Sequence, residues 1–481
     1  MNQRTQAIKT MVHLAVLACI SQQSAYAGGF SLYTESSAAA IGNFAAGIAA
    51  EGADASIGWY NPAGLVLLKK QQAVIGGVGV LPSVELTGTS TYISQNPFGG
   101  PPFSYAQSFD HLQGAKNALV PSLHYALPLN QRFVFGLSIV SPFGLSTDYP
   151  GTSPVRYSAT LSKLQTVNVS PEMGGALTDA VSVGLGLDLQ YANVEYNRML
   201  GSPGAMEVFD CPATTIDSLS YNTGSSFAVG FHAGLLWQLN QQHTRFGLNY
   251  QSGMNHQFSG YSRLTGRLAD PTLDVLDPLG GANPQAKYRS NTLISNNVSL
   301  PQVVTLSGYQ DLNPQWALLG SVVYFGWDTF KRITLNNVAV GIPVSTGVPG
   351  EGYTQLTTAN SSAVENYRDT WRLALGANYH ATERWLLRAG VGYDETPTQN
   401  QERDIRLPDV NRWALSIGTH YQVYPSVGLD FGYTYLFAAN NALINNTQII
   451  RTSTNNITAT ANSNAQLVGV QVVWTERTEK A

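Results

Sequence analysis

The chain is 481 residues long with a formal net charge of −4; only 12% of its residues are charged, and it holds 46 glycines and 24 tyrosines. Typical soluble domains carry about 25% charged residues, so the composition argues against an ordinary soluble enzyme. The acidic balance argues against nucleic acid, whose binding needs a basic stripe.

The first element is a targeting segment. Arg4 and Lys9 form a basic n-region, Met11 to Ile20 a short apolar core, and Ala25-Tyr26-Ala27 a cleavage site. Residues 1–27 therefore read as a signal peptide, and the mature chain begins at Gly28. The apolar run falls short of the about 20 residues that a spanning helix needs. A rival reading lipidates Cys19 after Val16-Leu17-Ala18, but Leu17 suits a lipobox poorly. Cleavage takes the net charge from −4 to −6 and leaves Cys211 without an intramolecular disulfide partner. No mature segment offers ~18 consecutive apolar residues. An exported, charge-poor, Gly- and Tyr-rich chain without a helical span suits a transmembrane β-barrel.

Residues 28–70 lack period-two alternation. Within them AEGADASIGWYNPAGL (Ala50 to Leu65) is small and almost uncharged, and Asn61-Pro62-Ala63 cannot continue a regular helix or strand. Such a segment ahead of a barrel reads as a hatch folded into the lumen, with small residues for close packing.

From residue 71 to 475 the pattern changes. VGLGLDLQY (Val183 to Tyr191), TRFGLNYQ (Thr244 to Gln251), WALSIGTHY (Trp413 to Tyr421) and VGLDFGYTY (Val427 to Tyr435) place an apolar residue at every second position. Alternation alone does not say which face looks outward. Aromatics at strand ends, such as Tyr191, Trp237, Tyr250, Trp316, Trp385 and Tyr421, favour lipid-facing girdles. Short turns near 129–131, 178–180, 240–242, 312–314, 381–383 and 424–426 alternate with long connections near 88–117, 144–159, 199–223, 263–295, 336–364, 396–410 and 439–463. The count between them predicts an all-β fold, an antiparallel transmembrane β-barrel of about 14 strands. In the third strand, Ser141-Pro142-Phe143-Gly144 marks either a kink or the strand's end, because Pro removes a ladder donor and Gly weakens pairing. The last strand ends on Trp474, with 476–481 as a short tail.

These blocks resemble the OmpP1/FadL/TodX-like family of outer-membrane transporters. The resemblance rests on GGFSLYTESS (Gly28 to Ser37), AAGIAAEGADASIGWYNPAGL (Ala45 to Leu65), NYRDTWRLALGANY (Asn366 to Tyr379), LRAGVGYDETP (Leu387 to Pro397), RLPDVNRWALSIGTHY (Arg406 to Tyr421) and LDFGYTYLF (Leu429 to Phe437), in that order. It implies a Gram-negative outer-membrane transporter of long-chain fatty acids or similar hydrophobic molecules, working without a cofactor. The substrate binds in an apolar pocket and leaves sideways through the third-strand kink at Ser141, Pro142, Phe143 and Gly144. It further implies that Phe30 reaches the pocket, that Asn61, Pro62 and Ala63 form a hatch gate, and that Arg198 lines the pocket as a basic residue. A second basic position of the pattern falls near Ala363, a departure that leaves room for neutral aromatic hydrocarbons. Arg368 lies nearby, and either it substitutes for that basic residue or Asp369 neutralises it. The implied partners are the hydrophobic substrate, outer-membrane lipid and lipopolysaccharide around a monomer, and the barrel assembly machinery, for which Trp474 would be the signal.

Other classes fit less well. The seven histidines of the mature chain are scattered, no G-x-S-x-G is present, and Gly184-Leu185-Gly186 sits inside a strand pattern. Neither catalysis nor a metal site is expected. A general diffusion porin would need an open charged lumen, at odds with a plug and few charges. The long loops leave room for a secondary role as an adhesin or receptor.

Overall fold

A computed structural model of the chain describes residues 30–96, 100–274, 277–345, 352–450 and 453–477. The expected signal peptide, Cys19 and residues 478–481 of the expected tail lie outside them. Among the described residues the alternating segments pair antiparallel into a closed 14-strand barrel.

The strands are β1 (Gln72–Ser94), β2 (Ala118–Pro128), β3 (Phe133–Val140, resuming as Gly144–Asp148), β4 (Leu161–Ala176), β5 (Val181–Tyr196) and β6 (Ser218–Leu239). There follow β7 (Thr244–Gln251 and Met254–Thr265), β8 (Lys287–Leu300 and Val303–Asp311), β9 (Trp316–Phe325 and Arg332–Ser345) and β10 (Gly352–Val364 and Thr370–His380). β11 (Trp385–Asp394), β12 (Arg412–Tyr424), β13 (Val427–Ala438 and Ala442–Ile450) and β14 (Ser453–Thr475) complete the wall. β1 closes on β14 from Gln72↔Thr475 to Ile93↔Thr454, so neither end strand is left as an open edge.

Burial decides which face is which. On β5, Val183, Leu185 and Leu187 are exposed, whereas Ser182, Asp188 and Gln190 point inward and are buried. Apolar outside and polar inside is the inverse of a soluble barrel and the pattern of one that faces lipid. Aromatic pairs ring the wall at two heights. Trp316–Tyr379 (4.6 Å) and Trp385–Tyr421 (5.1 Å) lie near the short turns, and Tyr324–Trp371 (5.1 Å) and Tyr393–Trp413 (4.8 Å) lie further out. Along β9, Trp316 to Tyr324 is about 27 Å at ~3.4 Å per residue. A tilt of ~40° reduces that to about 21 Å of height, close to the ~25 Å apolar band of such barrels.

The strands run past the outer girdle. Much of 88–117, 336–364 and 439–463, expected to be loop, is strand, and β14 begins at Ser453. Runs such as Thr357-Thr358-Ala359-Asn360-Ser361 are polar on both faces, so they lack the lipid-facing signal. Above the bilayer the ladder needs none. Those outer extensions carry a cap of loops. A short helix, α1 (Pro203–Val208), helps bury an apolar cluster of Phe103, Met206, Leu264, Leu268 and Leu273. Arg156, fully buried, ties the cap together: its Nε donates to Asp217 Oδ2 (2.8 Å) and its Nη2 to the Tyr157 hydroxyl (2.8 Å).

Residues 30–71 fill the lumen with short helical turns at Thr34–Ser36, Ala38–Ile41, Ile57–Tyr60 and Pro62–Leu67. Ala38 to Ala40, Ala45, Ala46, Ala49 and Ala50 are all buried. The wall meets this plug with glycine. A Cβ added to Gly390 would lie 2.4 Å from the Asn43 carbonyl oxygen, and one on Gly418 would lie 2.6 Å from Gly42 Cα. Backbone abuts backbone at both places.

Candidate functional site

The third strand breaks at Ser141-Pro142-Phe143, and the amino-terminal residues repair the break. Leu32 N–H donates to the Pro142 carbonyl (2.8 Å), Gly144 N–H donates to the Phe30 carbonyl (2.9 Å), and Ser31 pairs with Phe143 between them. On the other side, Thr166 of β4 holds the detached stretch: Phe143 N–H donates to its Oγ1 (3.0 Å), which donates to the Phe143 carbonyl (2.7 Å). Ser141 to Gly144 therefore form an interruption within a strand, since β3 resumes at Gly144 against β4.

Phe30 sits at the centre of an aromatic cluster. Its ring lies 4.7 Å from Trp327, 5.5 Å from Phe330, 6.2 Å from Phe143 and 6.3 Å from Tyr367, edge-on or tilted in each case. Such geometries suit ring quadrupoles. Behind it lies a cavity of about 100 Å³ walled by Leu164, Val194, Phe258, Leu300 and Tyr367. Breaks in β8 at Pro301 and in β9 between Phe325 and Arg332 open the space it occupies.

One end of the cavity is polar. Arg406 Nη1 donates to Asp404 Oδ2 (2.8 Å), its Nη2 donates to the Ser158 carbonyl, and its guanidinium covers the Tyr196 ring at 4.0 Å. Glu365 lines the same end in the irregular stretch between the halves of β10, six residues before Trp371 and hence above the outer girdle. Burial, with Asp404 beside it, pushes the Glu365 carboxyl up to about 8.

The expected site residues divide. Phe30 and Phe143 meet as described. Asn61, Pro62 and Ala63 lie in the plug, away from this cavity. Asn61 Oδ1 accepts from Ala63 N–H (3.1 Å), and its Nδ2 donates to the Ala49 carbonyl (2.7 Å) and to the Leu235 carbonyl of β6 (3.0 Å). One side chain thus fixes the turn and pins it to the wall. Arg198 is not among the cavity-lining residues. It stands in a short segment paired with β6, and its Nη2 donates to Ser361 Oγ (3.2 Å). Ala363 pairs with Ile333, and Arg368 points to the Thr396 carbonyl (3.3 Å).

Sequence reading missed Trp327, Phe330, Glu365, Tyr367 and Arg406. A signal existed in Gly326-Trp327-Asp328-Thr329-Phe330, where aromatics fall three apart and break the period of two.

The sequence profile of a family described as "Outer membrane protein transport protein (OMPP1/FadL/TodX)" matches residues 17–475. The chain is 28% identical over 457 residues to the long-chain fatty acid transport protein of Escherichia coli K12, covering 91% of this chain and 93% of that one. Among solved structures, a Pseudomonas aeruginosa FadL homologue superposes with a TM-score of 0.76 at 23% identity, over 93% of this chain and 99% of that one. The CymD monoaromatic hydrocarbon channel superposes at 0.57 and 16% identity, over 92% and 99%.

Proposed function

The chain belongs to the OMPP1/FadL/TodX family of outer membrane transport proteins, and from that premise we propose that it carries long-chain fatty acids or molecules of similar hydrophobicity across the outer membrane. The substrate enters among the external loops and is held in the aromatic-lined cavity behind Phe30. It leaves sideways into the bilayer where β3 is broken. The observation that carries this reading is the contrast between two barriers. The lumen is filled by a plug in backbone contact with the wall, while the break in β3 is covered by the short segment Phe30 to Leu32 on one side and tied to Thr166 on the other.

The physical chemistry favours such a route. A hydrocarbon chain gains about 0.8 kcal/mol per buried methylene, so an apolar cavity holds it with few polar groups. Sideways exit keeps those methylenes out of water throughout. A general diffusion porin fits poorly with a filled lumen. The protein works as a monomer among outer-membrane lipid and lipopolysaccharide after insertion by the barrel assembly machinery. Neutral aromatic hydrocarbons are the second reading, favoured by Arg406 being already paired with Asp404.

Uptake of labelled oleate and labelled toluene, in cells lacking their own protein of this family, tests both readings. Oleate uptake that depends on this chain supports the first, and toluene uptake alone supports the second. Neither, with the barrel correctly assembled, removes both of these substrate readings.

A further inference from the structure

Glu365 is the buried acid that the transport reading leaves unused. It is 8% exposed, it lines the cavity, and its carboxyl has no hydrogen-bond or ion-pair partner among the described residues. The charged groups around it are Asp404, Arg406 and Glu402. Of these, Arg406 is committed to Asp404, the Ser158 carbonyl and the Tyr196 ring, and Gln448 Nε2 also donates to Asp404 (2.7 Å). Lys163 and Glu195 border the cavity too, but they are cross-strand partners on the outward register of β4 and β5 and oppose one another. Among the lining residues the inward end therefore holds two acids, Glu365 and Asp404, and one base, Arg406; Arg198, outside the lining, lies within electrostatic reach of Asp404 and Arg406 and donates to Ser361 Oγ.

A ligand carboxylate placed there would meet two acids and a guanidinium that is already neutralised. An uncharged oxygen would meet a carboxylic acid that keeps its proton, for the reason already given: burial next to another carboxylate disfavours the charged form. A protonated carboxyl is a hydrogen-bond donor in search of an acceptor.

We infer that the polar end of this cavity selects an uncharged, acceptor-bearing head group, such as the carbonyl of a long-chain ester or ketone, with Glu365 donating the hydrogen bond. This rests on the proposed transport reading and narrows its substrate class. It differs from both readings above, since a fatty acid carboxylate is disfavoured and a bare hydrocarbon leaves Glu365 unused.

The test is retention of radiolabelled methyl oleate, oleate and octadecane on the purified, detergent-solubilised barrel at neutral pH, with wild type, Glu365→Gln and Glu365→Leu. The wild type should bind the ester about tenfold more tightly than either of the others, the worth of one hydrogen bond. Glu365→Gln keeps a donor and should keep ester binding. Glu365→Leu should lose it by about tenfold while octadecane is unaffected. Oleate or octadecane binding as tightly as the ester to wild type overturns the inference and leaves the transport reading intact. So does an unchanged ester affinity in Glu365→Leu, and the wild-type comparison needs no variant to fold. Binding of none of the three by an assembled barrel overturns the transport reading, and this inference with it.

Discussion

Gly390→Ala should unseat the plug. The added Cβ would lie 2.4, 2.5 and 2.7 Å from the carbonyl oxygen, carbonyl carbon and Cα of Asn43. All three are backbone atoms, so no rotamer change relieves the overlap, and either the plug or β11 must move. β11 is held on both sides by full ladders to β10 and β12, whereas the plug segment near Asn43 is a short turn. The plug is therefore the part that yields. Overpacking of this kind costs about 1–3 kcal/mol, and each ~1.4 kcal/mol is a factor of ten in population. The displaced state should thus rise by about 30-fold at a cost of ~2 kcal/mol. Planar-bilayer conductance, and sensitivity of cells to a large hydrophilic antibiotic, both read that state. Gly308→Ala is the control, because its Cβ would meet nothing closer than the Phe246 ring at 3.7 Å. An assembled Gly390→Ala barrel as tight as wild type would refute the claim that backbone contact seals the lumen.

Three further outcomes follow from the same geometry. Asn61→Ala removes three hydrogen bonds, each worth about 1 kcal/mol. Transport should fall while the heat-modifiable mobility of the barrel is unchanged, and normal uptake would count against a gating role. Ser31→Cys with Phe143→Cys places two thiols on a non-hydrogen-bonded pair, whose Cα atoms lie about 4.5 Å apart, within disulfide reach. Oxidation should stop uptake and reduction restore it; uptake by the verified cross-linked protein excludes exit at the break. Arg156→Ala leaves Asp217 buried without its cation, a loss of about 3–5 kcal/mol. The loops at 149–160 and 199–217 should then become protease-sensitive on intact cells, and equal resistance to that of wild type would show that the pair does not hold the cap.

The barrel was legible because lipid enforces its own code. A strand such as Val183 to Tyr191 must show apolar residues at every second place, and Trp316 and Trp385 must sit where the girdle lies. Above the bilayer that demand lapses, which is why the strands around Thr357 to Ser361 and Ala442 to Ile450 read as loops. The hatch was legible through its small residues and Asn61-Pro62. The cavity was not, because it is made where strands stop. Pro142 announced one such break, but those at Pro301 and Gly326 lie in chain whose period of two resumes on the far side. Only their alignment around the barrel brings Trp327, Phe330 and Tyr367 to Phe30. Arg406 and Glu365 come from different external segments, and no spacing along the chain links them.

Magnitudes favour the sideways route. Opening the break in β3 unmakes two backbone hydrogen bonds between buried groups, Leu32 to Pro142 and Gly144 to Phe30, at about 1–3 kcal/mol each. Withdrawing Phe30 adds about 1.5–3 kcal/mol of lost burial, for a sum of roughly 4–9 kcal/mol. Ten methylenes of a bound chain supply about 8 kcal/mol, enough to shift that equilibrium if they pack better in the opened form. Moving the plug instead breaks the Asn61 bond to the Leu235 carbonyl (3.0 Å), the donation of Gly47 N–H to Ser321 Oγ (2.8 Å) and that of Ala49 N–H to Ser307 Oγ (3.1 Å). It also breaks those of His124 Nε2–H to the Ser36 carbonyl (2.9 Å) and His232 Nε2–H to the Gly58 carbonyl (3.2 Å). Each of these bonds satisfies a buried group, and one left unmade there costs about 1–3 kcal/mol. The same binding energy that opens the wall thus falls short of clearing the lumen. A molecule that never needs water has no reason to take the longer path.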